Sequence, residues 1–184
     1  LVIGSLYALI ALGYTMVYGI VELINFAHGD LFMLGAFLSL TILTSFAPDP
    51  GSGMAAVTIV LMLIAAPLFC ASLNVAVDRV IYKPLRGAPK LAPLVSAIGV
   101  SFIFMNAGQF WFGPLSQNFP RLIPDHELFP GFGYRDLMVV GVTVPTMIGL
   151  TLFVKLTPLG KAMRAVAQNP TAARLMGIDV DRVI

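Results

Sequence analysis

Residues 137–178 read LMVVGVTVPTMIGLTLFVKLTPLGKAMRAVAQNPTAARLMGI, and the two halves of this stretch obey different rules. Residues 137–156 carry no charge before Lys155 and are long enough to cross a bilayer at about 20 residues per crossing. The continuation, 160–178, is half polar and has sharp helix punctuation. Asn169 can cap a helix, Pro170 suits its first position, and Gly177 can end it. The punctuation predicts a helix of about seven residues, under two turns. Such a helix is marginal alone in water, so it needs something to dock against. The same spacing also suits an ordinary connector lying on a membrane surface.

Composition agrees with a membrane class. The chain has 184 residues, 58% hydrophobic and 11% charged, against about 25% charged in an average soluble domain. A net charge of +2 is too small to point to nucleic acid. The single thiol, Cys70, cannot form a disulfide within the chain. No cleavable signal peptide is visible. Leu1 already lies in an apolar segment and Val183-Ile184 suits the start of another. A piece of a longer protein is therefore expected, without its start and later helices.

Four more apolar segments precede residue 137. Residues 1–23 are uncharged until Glu22, with Gly4 and Ala8, and Thr15 and Gly19, at the four-residue spacing that lets helices approach closely. INFAHGD, residues 24–30, then sets Asn25, His28 and Asp30 between two spans. Gly29 is expected to take the left-handed conformation of a sharp break, and Asp30 to cap a helix over 31–47. That helix would cover roughly 26 Å of a hydrocarbon core of about 30 Å. The polar cluster therefore falls near an interface, where it either borders a transport path or simply closes a helical turn. Residues 48–53, PDPGSG, form a tight loop.

The third span, 54–77, should kink at Pro67, and Asn74 near its end can bond across helices. Residues 78–90, DRVIYKPLRGAPK, read as a basic loop. The fourth span, 91–112, holds Asn106 and Gln109 on one face and closes on Phe110, Trp111 and Phe112 as an aromatic belt would. A proline-rich polar loop, 113–136, leads into the fifth span, which contains Pro145.

Of eleven basic residues, all but Arg121 and Arg135 lie in residues 78–90 (Arg79, Lys83, Arg86, Lys90) or 155–184 (Lys155, Lys161, Arg164, Arg174, Arg182). The positive-inside rule makes those two stretches cytoplasmic and 113–136 external, and five spans alternate without conflict.

The chemistry permitted is narrow. There is no catalytic Ser/His/Asp or Cys/His arrangement, no metal-ligand spacing around His28, and no P-loop, so the chain is expected to be no enzyme and to hold no cofactor or metal. Apart from Glu22 and Asp30 at a boundary, its spans lack the embedded charges that ion-coupled carriers use, which leaves the energy source to a partner. The polar side chains available to border a translocation path are Asn25, His28, Asp30, Asn74, Asn106 and Gln109.

INFAHGDLFMLGAF, RVIYKPLRGAPKLAPLVSAIGVS and GKAMRAVAQNPTAARLMGIDVDRVI together resemble the bacterial permeases of branched-chain amino acid ABC transporters, and look like the first of the two permease subunits. The resemblance implies an all-α polytopic membrane protein, a helical bundle, with residues 1–184 as part of one permease domain. It implies an inner-membrane importer of leucine, isoleucine or valine. Its partners would be a second homologous permease, two cytoplasmic ATPase subunits that use the ATP, a periplasmic binding protein, the small-molecule substrate and membrane lipid. Residues 157–179 would be the cytoplasmic ATPase-coupling loop, a role carried to Arg164, Ala165, Asn169, Pro170, Ala172, Arg174 and Gly177. Similar permeases move urea or short amides. From other classes, a secondary carrier or channel working without an ATPase, or a membrane scaffold with no path, is the rival expectation.

Overall fold

A computed structural model describes residues 2–21, 25–46, 52–89, 91–120, 127–129 and 132–183. Glu22, Ile24, Lys90, most of the 48–53 loop and residues 121–126 of the expected external loop lie outside these. The order is α1 (Val2–Val21), α2 (His28–Phe46), α3 (Gly53–Val77), a π-helical turn (Asp78–Tyr82), α4 (Lys83–Leu85), α5 (Leu91–Phe112), β1 (Glu127–Phe129), β2 (Phe132–Gly133), α6 (Tyr134–Leu156), α7 (Pro158–Gln168), α8 (Pro170–Leu175) and α9 (Val180–Val183). The protein is all-α apart from the small antiparallel hairpin β1–β2, which lies in the stretch expected to be only loop.

Among the described residues, four helices are long and apolar enough to cross a membrane: α2, α3 continued to Leu85, α5, and α6 from Asp136; the first of the five expected spans is there a shorter apolar helix, Ile3–Gly19. Helix α1 is also apolar, with 20 residues. Large side chains on these helices face outward, among them Val57, Leu63, Ile64, Leu68, Phe102, Ile103 and Ile148. An apolar surface of that extent belongs against lipid or other helices. Many hydroxyl groups are satisfied within their own helices, as suits a membrane interior. Ser39, Thr41, Thr44 and Ser45 each donate to the carbonyl four residues back in α2, and Thr146 and Thr151 do so in α6. Helices α3 and α6 run through Pro67 and Pro145.

The contacts divide the chain into two compact units, residues 25–124 and residues 1–24 with 125–184. In the first, α2 packs on both α3 and α5. Ala27, just before α2, and Leu31 and Leu34 within it meet Val100 and Phe104 of α5, with Phe69, Leu73, Val77 and Ile81 against them. Small residues permit the approach. A Cβ on Gly35 would lie 2.7 Å from Cys70 Sγ, and one on Gly108 would lie 2.7 Å from Met33 Cε. Gly4 and Gly19 of α1, which packs on α6 and α7, do not mark so close an approach. Beyond the adjoining residues and the helix's own backbone, no described atom comes within 4 Å of a Cβ built on Gly4 or Gly19. Gly19 and Thr15 border an open cavity with Val154, Met163, Arg164 and Ala167 instead of a closed helix contact.

Two expected boundaries move. Helix α2 starts at His28, not after Asp30, and Gly29 is helical; the described glycines with positive φ are Gly113 and Gly177. The turn into α2 is closed by Asn25, whose Oδ1 accepts from Ala27 N at 3.1 Å while its carbonyl accepts from His28 N at 3.2 Å. Because the helix already begins at His28, Asp30 lies inside its first turn and is not its cap. Residues 78–90 are also not all loop, because the helix continues to Leu85. The π turn explains how it passes Pro84, which lacks an N–H and would crowd the carbonyl of Val80 in a regular helix. Lys83 N reaches back to Asp78 O, and this five-residue turn opens the ladder there. An ion pair from Arg86 to Asp78 at 3.1 Å spans the turn.

Candidate functional site

Two places carry the side chains singled out by sequence, one in each unit. In the first unit the polar entrance of α2 is bonded on two sides. Asn25 Oδ1 accepts from the Tyr82 hydroxyl at 3.1 Å, and an Asp30 carboxylate oxygen accepts a short hydrogen bond from Ser101 Oγ. His28 is half-buried between them in sequence. Beyond them Cys70 Sγ donates to Leu31 O at 3.3 Å. Asn25, His28 and Asp30 thus lie together, tied to the π turn and to α5. Asn74, Asn106 and Gln109 do not join them. All three are exposed within this unit, and Asn106 Nδ2 bonds back to Phe102 O at 2.7 Å in its own helix. Asn74 makes no cross-helix bond among the described residues. Among those residues, no group of His, Cys, Asp and Glu is arranged to hold a metal ion.

In the second unit α6 passes to α7 through one residue, Thr157, and α7 passes to α8 through Asn169. Helix α7 is amphipathic: Val166 is buried, Ala162, Met163, Ala165 and Ala167 are half-buried, and Lys161, Arg164 and Gln168 are exposed. Helix α8 has the expected ends. Asn169 Oδ1 accepts from Thr171 N and Ala172 N at 3.0 Å each, with Pro170 in the first position. Gly177 has φ +80°. Its N–H bonds to Arg174 O at 3.0 Å, and Ile178 N bonds to Ala173 O at 3.0 Å. These are the two bonds of a Schellman cap, and Ile178 supplies its apolar contact.

The short helix does find a support, and it lies in the same chain. Ala173 is buried with Val166 of α7 and Val180 of α9. The other side of α8 stays open: Ala172 and Arg174 are exposed, and just after them Leu175 is 85% and Met176 82% exposed. Sequence reasoning passed over Leu175 and Met176, although two large apolar residues before a helix-ending glycine were the available signal. Ala165 is packed against the α7–α8–α9 core. Arg164 Nη1 donates to Val154 O at 2.7 Å and Lys155 O at 3.2 Å, on the last turn of α6. Tyr82 and Ser101 were also missed: the first sat in a presumed loop, and the second was one hydroxyl in an apolar span.

Several apolar membrane-length helices, a polar break at the start of one of them, and a small capped helix after the last define a polytopic membrane protein with a short helical appendage after α6. The model of the branched-chain amino acid transport system / permease component family matches residues 1–184, and the chain belongs to that family. It is 38% identical to the high-affinity branched-chain amino acid transport system permease protein BraD of Pseudomonas aeruginosa, over 100% of this chain and 62% of that protein. It is 35% identical to the corresponding LivH permease of Escherichia coli, over 99% of this chain and 61% of that one. A probable LivH permease of Methanocaldococcus jannaschii is 25% identical over 99% of this chain. The chain therefore spans about three fifths of the length of these curated relatives. No solved structure matches it.

Proposed function

We propose that this chain is the larger part of a permease subunit in an ATP-driven importer of branched-chain amino acids, set in the bacterial inner membrane. It catalyses no reaction and binds no cofactor. It supplies half of a translocation path, and a second homologous permease supplies the other half. Two cytoplasmic ATPase subunits drive the path and a periplasmic binding protein delivers leucine, isoleucine or valine. The family supports the transport class, and the relatives' names support the substrate.

The observation that carries the coupling role is the exposed side of α8. Ala172, Arg174, Leu175 and Met176 stand clear of a helix whose opposite side is held by Val166 and Val180. Two adjoining apolar side chains left in water suit a partner's groove, and the Arg174 fork suits a carboxylate at its edge. Residues 157–179 then form the coupling loop on the cytoplasmic side.

The test uses the full-length permease with its partners. The ATPase should copurify, and proteoliposomes should take up radiolabelled leucine only with ATP. Ala172→Glu should insert normally, hold the second permease, and lose both ATPase binding and uptake. Normal uptake by that variant would reduce α8 to a surface connector. Leucine uptake without any ATPase would favour a secondary carrier.

A further inference from the structure

We propose that the corner between α6 and α7 is a stiff strut, held by Arg164 and Gly160, that carries displacement of α8 into the span α6. The proposal rests on the coupling reading above.

A one-residue link between two helices is ordinarily a hinge, free to absorb motion. Here it is pinned from three directions. Thr157 ends α6 and caps α7: its Oγ1 donates to Phe153 O at 2.6 Å and accepts from Gly160 N at 3.0 Å. Gly160 is buried so closely on α6 that a Cβ there would fall on the backbone of Val154. Arg164, one turn further, returns its guanidinium to Val154 O and Lys155 O. Those carbonyls belong to the last turn of α6, where no intrahelical donor remains. The negative end of the helix dipole also favours a cation there. Removing any one pin leaves α7 freer to rotate about Thr157.

Beyond the corner the connection is continuous. Helix α7 places Val166 against Ala173 of α8 and Val180 of α9. The exposed tip at Leu175 and Met176 is thus joined to α6 by a packed core and then by the corner, and the one-residue link at Asn169 is itself held by its N–H, which donates to Ala165 O, and by its side chain, which accepts from Thr171 N and Ala172 N. Arg164 acts here as a positioning residue. Its Nη1 is directed at its own chain, so its part in coupling is to make α6 follow α7.

Uptake and ATP hydrolysis should be measured together in proteoliposomes holding the full-length permease and its partners. Gly160→Ala should keep the ATPase bound but lower leucine taken up per ATP. Arg164→Ala should lower the same ratio, and Arg164→Lys should restore part of it. Charge-assisted hydrogen bonds are strong enough for a loss of roughly tenfold. A second readout concerns the corner alone: spin labels at Ile148 and Gln168 should give one narrow distance distribution, which Gly160→Ala broadens. A wild-type ratio in both Gly160→Ala and Arg164→Ala, or a wild-type distribution as broad as the variant's, overturns the strut. ATP-independent uptake by the wild type would instead sink the coupling reading, and is seen before any variant is made.

Discussion

The Tyr82 hydroxyl donates to Asn25 Oδ1 at 3.1 Å and joins residues 57 positions apart. The same oxygen accepts from Ala27 N. One side-chain carbonyl therefore shapes the entry to α2 and fastens it to the π turn. Tyr82→Phe removes one of these bonds and Asn25→Ala removes both. Interhelical bonds in membrane proteins average about 0.6 kcal/mol, and a lost cap-type bond costs about 1 kcal/mol. Unfolding in detergent should show Asn25→Ala as clearly the more damaging. Equal losses would mean that the Ala27 bond adds nothing.

Asp30 and Ser101 should behave as a pair. Were Asp30 only a charge at the start of α2, its removal would cost the same whether or not Ser101 was present. The Ser101 bond makes the effects of Asp30→Ala and Ser101→Ala non-additive, with a coupling of about 0.6 to 1.7 kcal/mol expected for such bonds. A double-mutant cycle on unfolding measures it. Purely additive losses would reject the pairing. Transport per inserted molecule, read on the same proteins, separates a path-bordering role from a structural one.

Gly35 and Cys70 offer a compensation test. With Cys70 Sγ 2.7 Å from the place a Cβ would take, Gly35→Ala should cost about 1 to 3 kcal/mol, the usual range for overpacking. Cys70→Ala removes the sulfur, so Gly35→Ala should cost much less in that background. An unchanged cost would show that the Cys70 sulfur is not what opposes a Cβ at Gly35.

The two sides of α8 should fail differently. Gly177→Val forces a β-branched residue to φ +80°, which exceeds the roughly 1–2 kcal/mol that the left-handed region costs an ordinary residue. It should loosen α8 from Val166 and Val180, and protease should cut there sooner. Leu175→Ser with Met176→Ser leaves those contacts alone. It should resist protease like the wild type and yet lose ATP-driven uptake. Early cleavage of the double variant would place these side chains in the fold and not on a docking surface.

Much of the α8 region was legible because its signals are local. Asn169, Pro170 and Gly177 act on backbone groups within three residues of themselves, so their order alone states where a helix begins and ends. The span 91–112 was legible for a similar reason, since length and lack of charge need no knowledge of neighbours. At INFAHGD local rules misled. Asp30 and Gly29 look like a cap and a break, but the turn closed by Asn25 starts the helix at His28 and places both inside it. The carboxylate was thereby left for a hydroxyl 71 residues away. Residues 78–90 misled in the same manner: four basic residues and Pro84 suggest a loop, whereas a π turn lets the helix pass the proline.

From the sequence by itself came the membrane class, the spans, the end signals of α8 and the family resemblance, because each depends on composition, spacing or motif along one stretch. Only the tertiary structure decided which polar groups meet, that Ala173 is buried while Leu175 and Met176 stand free, and that Arg164 returns to the end of α6. Those outcomes depend on which helix faces oppose each other, and apolar helices with little amphipathic contrast do not declare their faces in the order of their residues.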